Sequence, residues 1–209
     1  MQAERIPLNC LIAEDSEDDA LLLLDHLESA GFRTRWQRVA SEAAMGAALA
    51  EGPWDIVFSD YTMPGFRGDR ALEIIRAHDA DLPFIFVSGT LGEEAAVAAM
   101  RAGAQDYVMK HNLSRLAPIV RRELEDALER RERHRAEAEL RKLSLAVEHT
   151  ADSIFITDPG GHIEYVNPAF ERLSGFKAHE AVGRPASLVK YDRNPPEYFQ
   201  RMWAVLLSG

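Results

Sequence analysis

Between Leu8 and about Leu128, short apolar runs alternate five times with stretches of helical periodicity, and this alternation constrains the fold more than any other feature of the chain. Strands are expected at residues 8–13, 34–39, 55–59, 84–88 and 106–109. Between them lie helices. One covers residues 20–30, with Ala20, Leu23, Leu24 and Leu27 on one face and Gly31 as its C-terminal cap. Ser41 caps an Ala-rich second helix that runs to about Glu51, and Asp69 caps a third that runs to about His78, with Leu72, Ile74 and Ile75 as its apolar side. A fourth spans residues 93–102 and is closed by Gly103. Strands that alternate with helices are joined by crossovers, so they run parallel, in a sheet covered on both faces. Ligands of such sheets bind beyond the carboxyl ends of the strands.

After the fifth strand, Ser114 is expected to open a much longer helix, whose only proline, Pro118, lies in the opening turns where it is tolerated. Leu116, Val120, Leu124, Ala127 and Leu128 form a stripe that can cover the sheet. Residues 129–137 are almost all charged and must stand in solvent or in a polar two-helix seam; Ala138, Leu140, Leu143 and Val147 then restore apolar character. A solvated linker and a parallel coiled coil both fit this pattern. From about Asp152 the pattern changes to a strand at 153–157, a turn at 158–161, a strand at 163–166 and a short helix at 168–174, which Asn167-Pro168 starts.

The net charge of −10 argues against general affinity for nucleic acid or an anionic membrane. No apolar run approaches the roughly 20 residues that span a bilayer, and the opening residues lack a signal-peptide core. The single cysteine, Cys10, sits in a strand and reads as a core thiol. A cytoplasmic protein is expected. The seven histidines show no pair at metal-ligand spacing.

Four strand ends carry chemistry. The first ends in Glu14-Asp15, the third in Asp60, the fourth in Ser88 and the fifth in Lys110. In a parallel sheet these converge on one rim, where carboxylates repel by roughly 4 kcal/mol per pair at about 4 Å and an effective dielectric near 20. A hard divalent cation, most often magnesium, answers that repulsion. Asp60 can then act as a nucleophile toward a phosphoryl group, with Lys110 neutralising and Ser88 hydrogen-bonding phosphoryl oxygens. The loop at residues 62–65 can bring the Thr62 carbonyl to the metal.

The segments "LIAEDSEDD", "DIVFSDYTMPGFRG", "PFIFVSGTLGEE" and "GAQDYVMKHNLSRL" together resemble the receiver domain of bacterial two-component response regulators, over residues 6–128. The resemblance implies a flavodoxin-like, doubly wound α/β fold with a five-stranded parallel sheet. It implies that Asp60 is the phospho-acceptor, supplied by a sensor histidine kinase or a phosphotransfer protein. Asp15 and Asp60 would bind magnesium directly and Glu14 through water. Ser88 would be the hydroxyl switch residue, Tyr107 the aromatic that changes rotamer with it, and Lys110 the phosphate-binding lysine. Plain packing is the other reading of Tyr107. The family usually places Pro after that lysine, often in a cis bond, and here His111 follows. A cis bond to a non-proline residue costs about 3–4 kcal/mol, so the Lys110–His111 bond is expected to be trans and the loop into the last helix differently shaped.

The runs "SIFITD" and "GHIEYVNPAFERLSGF" resemble the start of a PAS sensory domain, so residues 150–209 are expected to be the N-terminal part of an incomplete α+β PAS unit. The Cys that attaches flavin in one PAS subgroup is missing after Gly183-Arg184, where Pro185-Ala186 follow, and no cofactor besides magnesium is expected. The expected function is a phosphorelay regulator, not an enzyme, that passes phosphorylation of Asp60 through a helical linker at 114–149 to the PAS unit, as a homodimer joined by that helix. Any effector enzyme would lie beyond residue 209. Two alternatives are a phosphorylation-independent interaction module and a magnesium-dependent phosphohydrolase with an Asp nucleophile. Haloacid-dehalogenase-like phosphatases carry a second Asp two residues after the nucleophile, where this chain has Thr62.

Overall fold

The computed structural model describes residues 5–89 and 93–189, with 93–96 described by backbone alone. The chain divides into two compact units, Met1–His134 and Arg135–Gly209. In the first, five strands, β1 (Ile6–Ala13), β2 (Phe32–Val39), β3 (Ile56–Ser59), β4 (Phe84–Ser88) and β5 (Asp106–Met109), alternate with α1 (Glu17–Ser29), α2 (Glu42–Glu51), α3 (Gly68–His78) and α4 (Glu93–Arg101). A 3-10 helix, Lys110–Arg115, leads into α5 (Leu116–His149). The strands pair in the order β2-β1-β3-β4-β5, all parallel. This is the flavodoxin-like order, whose direction of winding reverses between β1 and β3.

Side-chain alternation along the strands builds two cores. Leu8, Cys10, Ile12, Phe58 and Val87 face Leu23, Leu27, Leu116 and Val120, while Leu11, Val57, Phe84 and Phe86 face Met45, Leu72 and Ile75. Each such large apolar side chain contributes roughly 1.5–3 kcal/mol on burial. β3 is buried on both faces, which is why it reads as a continuous apolar run.

Local signals explain most boundaries. Ser41 Oγ accepts the Ala44 N–H at 3.2 Å and starts α2 as expected. Ser16 caps α1 through the Asp19 N–H at 3.3 Å, so α1 begins at Glu17 and not at Ala20, with acidic Glu17, Asp18 and Asp19 in the first turn, where the helix dipole favours them. Gly31, just past α1, takes φ +94° as its capping role requires.

Several expectations need correction. Asp69 does not cap α3: the cap position lies two residues earlier, at Arg67, which makes no side-chain cap bond, and the helix starts at Gly68. The Gly68 N–H bonds the Tyr61 carbonyl at 3.1 Å instead, and Asp69 Oδ1 accepts from Arg70 N–H. The last helix begins at Leu116, not at Ser114, whose hydroxyl is turned to Asn112 Oδ1 at 2.8 Å. Its buried face is Leu116, Ile119, Val120, Glu123 and Ala127, whereas Leu128 is 59% exposed. Buried Glu123 is matched by Arg122 at 2.8 Å. Among the described residues no peptide bond is cis, so Lys110–His111 is trans, as expected without proline.

The charged stretch at 129–137 is only partly given to solvent. Arg131 pairs with Asp79 at 3.1 Å, and Arg130 and His134 approach Asp81 at 3.6 and 2.9 Å, so the loop after α3 receives it. Further along α5, Leu140 and Leu143 are exposed.

In the second unit β6 (Phe155–Thr157) and β7 (Ile163–Val166) pair antiparallel, followed by α6 (Pro168–Ser174), α7 (Ala178–Ala181) and a 3-10 turn, Ala186–Val189. Ile163, Val166, Phe170 and Ala181 form its core. Asn167 caps α6, and it is fully buried with every side-chain group engaged. Its Oδ1 accepts from Ile154 and Phe170 N–H, and its Nδ2 donates to the Val147 and Asp152 carbonyls, all at 2.9–3.0 Å. The remainder of the expected PAS region, 190–209, lies outside the described residues.

Candidate functional site

The carboxyl ends of β1, β3 and β5 deliver the predicted acids and lysine to one point. Oxygens of Glu14, Asp15 and Asp60 lie within 4.8 Å of one another. Asp60 follows the last residue of β3 and is fixed by its N–H, which donates to the Ala13 carbonyl at 2.8 Å. Glu14 and Asp60 are buried, at 4% and 9% exposure, and Asp15 is exposed. Arg38 Nη1 holds the main chain of the acidic pair, bonding the Glu14 and Asp15 carbonyls at 3.0 and 3.2 Å.

Lys110, one residue past β5, reaches this cluster. Its Nζ lies 2.8 Å from Glu14 Oε2, 2.8 Å from Asp60 Oδ2 and 2.6 Å from Asp19 Oδ2. Burial by itself would lower the Lys110 pKa, but the hydrogen bonds to Asp19, Asp60 and Glu14 outweigh it and hold the ammonium firmly charged. Burial pushes the Glu14 carboxyl above its ordinary value, against the opposing pull of Lys110 and of the Ser16 N–H. The second oxygen of Asp60, Oδ1, accepts the Thr62 N–H at 3.1 Å.

Ser88 ends β4 beside Met109 in the register, and its hydroxyl is buried without a hydrogen-bond partner among the described residues. An idle buried hydroxyl at a strand end carries a desolvation cost that an incoming acceptor would remove. Tyr107 stands on β5 opposite Phe86, with 36% of its surface exposed, and the carboxylate–lysine cluster does not include it.

Two contributors escaped the sequence reading. Asp19 lies in the first turn of α1, three residues after the cap residue Ser16, and the acidic run "EDSEDD" that follows β1 was the available signal. Gly68 is the other: a Cβ there would stand 2.6 Å from the Asp60 carbonyl oxygen.

The donor set fits a hard divalent cation. It is all oxygen, carries excess negative charge and is compact. By contrast Cys10 is no candidate for chemistry, since burial, reinforced by the Asp55 charge, pushes its thiol pKa far up.

The family model for the response regulator receiver domain matches residues 10–121, and that for a PAS domain matches residues 140–205. The nitrogen assimilation regulatory protein NtrX of Azorhizobium caulinodans is 35% identical over 125 residues, covering 58% of this chain and 27% of the relative. The crystal structure of NtrX from Brucella abortus superposes with a TM-score of 0.57 at 27% identity, covering 75% of this chain and 38% of that one. A receiver domain protein from Methanospirillum hungatei shares the fold, with a TM-score of 0.52 at 22% identity, covering 59% of this chain and 98% of that one. The chain spans 27% to 42% of the length of the first curated relatives it matches.

Proposed function

Because the chain belongs to the response regulator receiver family, we propose that Asp60 is the phospho-acceptor of a two-component phosphorelay, supplied by the phosphohistidine of a sensor histidine kinase or phosphotransfer protein. The observation that carries this reading is the rim itself. Asp60 stands at a strand end, with Lys110 Nζ 2.8 Å from Oδ2 and two further carboxylates alongside.

An Asp60 oxygen attacks phosphorus, the P–N bond to the donor imidazole breaks, and its electron pair returns to the ring. Glu14, Asp15 and Asp60, with the Thr62 carbonyl, would hold magnesium, which supplies neutralisation of phosphoryl charge when bound. Lys110 neutralises a phosphoryl oxygen from the β5 side. The Ser88 hydroxyl, idle at rest, donates to another, and its movement lets Tyr107 reorient.

The change then passes through α5 to the PAS unit. In this proposal the exposed Leu140 and Leu143, with Val147, join two copies as a parallel homodimer. The protein works in the cytoplasm without nucleic acid or membrane. No described helix is long and apolar enough to cross a bilayer. The domains are the receiver at 6–128, the helix at 114–149 and the PAS part from 150. The phosphohydrolase alternative lacks support at Thr62, which stands where a second Asp is needed and meets Asp60 only through a backbone N–H hydrogen bond.

Incubation with acetyl phosphate, with and without magnesium, tests the reading by intact mass. A magnesium-dependent gain of one phosphoryl group in the wild type, lost in Asp60→Asn, is expected. No gain under any condition would refute it.

A further inference from the structure

An ammonium group has three N–H donors, and at Lys110 three carboxylates surround them: Asp19 at 2.6 Å, and Glu14 and Asp60 at 2.8 Å each. No donor is left for an arriving phosphoryl oxygen, so one carboxylate must let go. The side chains of Glu14 and Asp60 are 6% and 11% exposed, and freeing either would strand a carboxylate away from water. The Asp19 side chain is 40% exposed, and water replaces the lysine there at small cost.

Charge points the same way. Glu14, Asp15, Asp19 and Asp60 set four negative charges around one ammonium, and a phosphoryl donor is itself an anion. Asp19 adds repulsion toward that donor without belonging to the buried part of the cluster. Its place is fixed by the helix, since its N–H is held by Ser16 Oγ in the first turn of α1.

Building on the reading of Asp60 as the phospho-acceptor, we propose that Asp19 is a positioning residue that holds Lys110 in the resting state and yields it to the incoming phosphoryl group, thereby setting the rate of phosphorylation. Lys110 keeps its place through Glu14 and Asp60 when Asp19 is neutralised, so the loss of the charge quickens the reaction.

The test uses the full chain, acetyl phosphate and magnesium, with the second-order rate constant read by intact mass for wild type, Asp19→Asn and Asp19→Glu, and thermal unfolding recorded for each. The rate constant is expected to rise about three- to fivefold in Asp19→Asn, the range that a half-exposed ion pair supports. Asp19→Glu, which keeps the charge, should stay near the wild type. A purely structural role would instead slow the Asn variant and lower its melting temperature. An unchanged or lower rate constant in Asp19→Asn, with the wild type still phosphorylated, overturns the role of Asp19 and leaves the phospho-acceptor reading standing. A wild type that takes no phosphoryl group overturns both.

Discussion

Replacing Gly68 by alanine tests how tightly the Asp60 loop is built. Alanine is the better helix former by about 0.8–1.0 kcal/mol, so propensity alone predicts stabilisation. The surroundings reverse the sign. A Cβ at Gly68 would lie 2.6 Å from the Asp60 carbonyl oxygen, 2.7 Å from Phe86 Cε1 and 2.9 Å from Tyr61 Cα. None of these atoms ends a flexible chain. The Asp60 carbonyl also accepts the Ser59 hydroxyl at 2.8 Å, and the Phe86 ring packs edge-on against both Phe84 and Tyr61. Overpacking of this kind costs about 1–3 kcal/mol and sometimes more; with three contacts under 3 Å the upper end applies, leaving a net loss of about 2 kcal/mol after the helix gain. For a chain of this size that is a fall in melting temperature of about 4–8 °C. The relief must come from moving the main chain at Asp60, so phosphorylation by acetyl phosphate should slow as well. Gly46→Ala, in α2, is the control: no atom lies within 4 Å of its Cβ, and it should gain the propensity term intact. Urea unfolding of both variants, followed by tryptophan fluorescence, reads the difference. If Gly68→Ala proved as stabilising as Gly46→Ala, the packing argument for this loop would be wrong.

Two further predictions concern buried polar groups. Burial raises the Glu14 pKa in the folded state, so its contribution to stability is fully present below the ordinary glutamate value of 4.5 and is lost as pH rises through the raised value. In chelator, Glu14→Gln should therefore be more stable than the wild type at pH 7, with the gap closing below about pH 4.5, a trend that thermal melts across pH would read. Asn167→Asp keeps the oxygen that caps α6 but loses the donor to the Val147 and Asp152 carbonyls. Leaving those acceptors unmatched beside a buried carboxylate should cost at least about 2 kcal/mol and speed amide exchange in the last turn of α5, whereas normal protection there would contradict the role assigned to this side chain.

The elements that were legible in the sequence are those whose signal is local. Ser41, Gly31 and the apolar runs of β3, β4 and β5 each act within a few residues, and the strand ends that deliver Glu14, Asp60 and Lys110 follow from them directly. What escaped depends on contacts distant in sequence. Asp19 acquires its role from Lys110, 91 residues away, and Gly68 is required by the Asp60 carbonyl and the Phe86 ring across the loop. The start of α5 is hidden for a related reason. Ser114 has the chemistry of a cap, but Asn112 takes its hydroxyl, and the chain makes a 3-10 turn before the helix begins. Leu128 continues the apolar stripe in the sequence, yet the covered face closes at Ala127, and ion pairs from Arg131 to Asp79 and Arg130 to Asp81, with a His134–Asp81 hydrogen bond, take over.

If Asp60 carries the phosphoryl group, locating that group on the chain will show it. Borohydride reduces an aspartyl phosphate to the corresponding alcohol, so treating the acetyl-phosphate-reacted chain and sequencing its peptides by mass spectrometry marks the acceptor. Residue 60 is expected to be converted, with no conversion when magnesium is withheld. Conversion at another aspartate, with Asp60 intact, would contradict it.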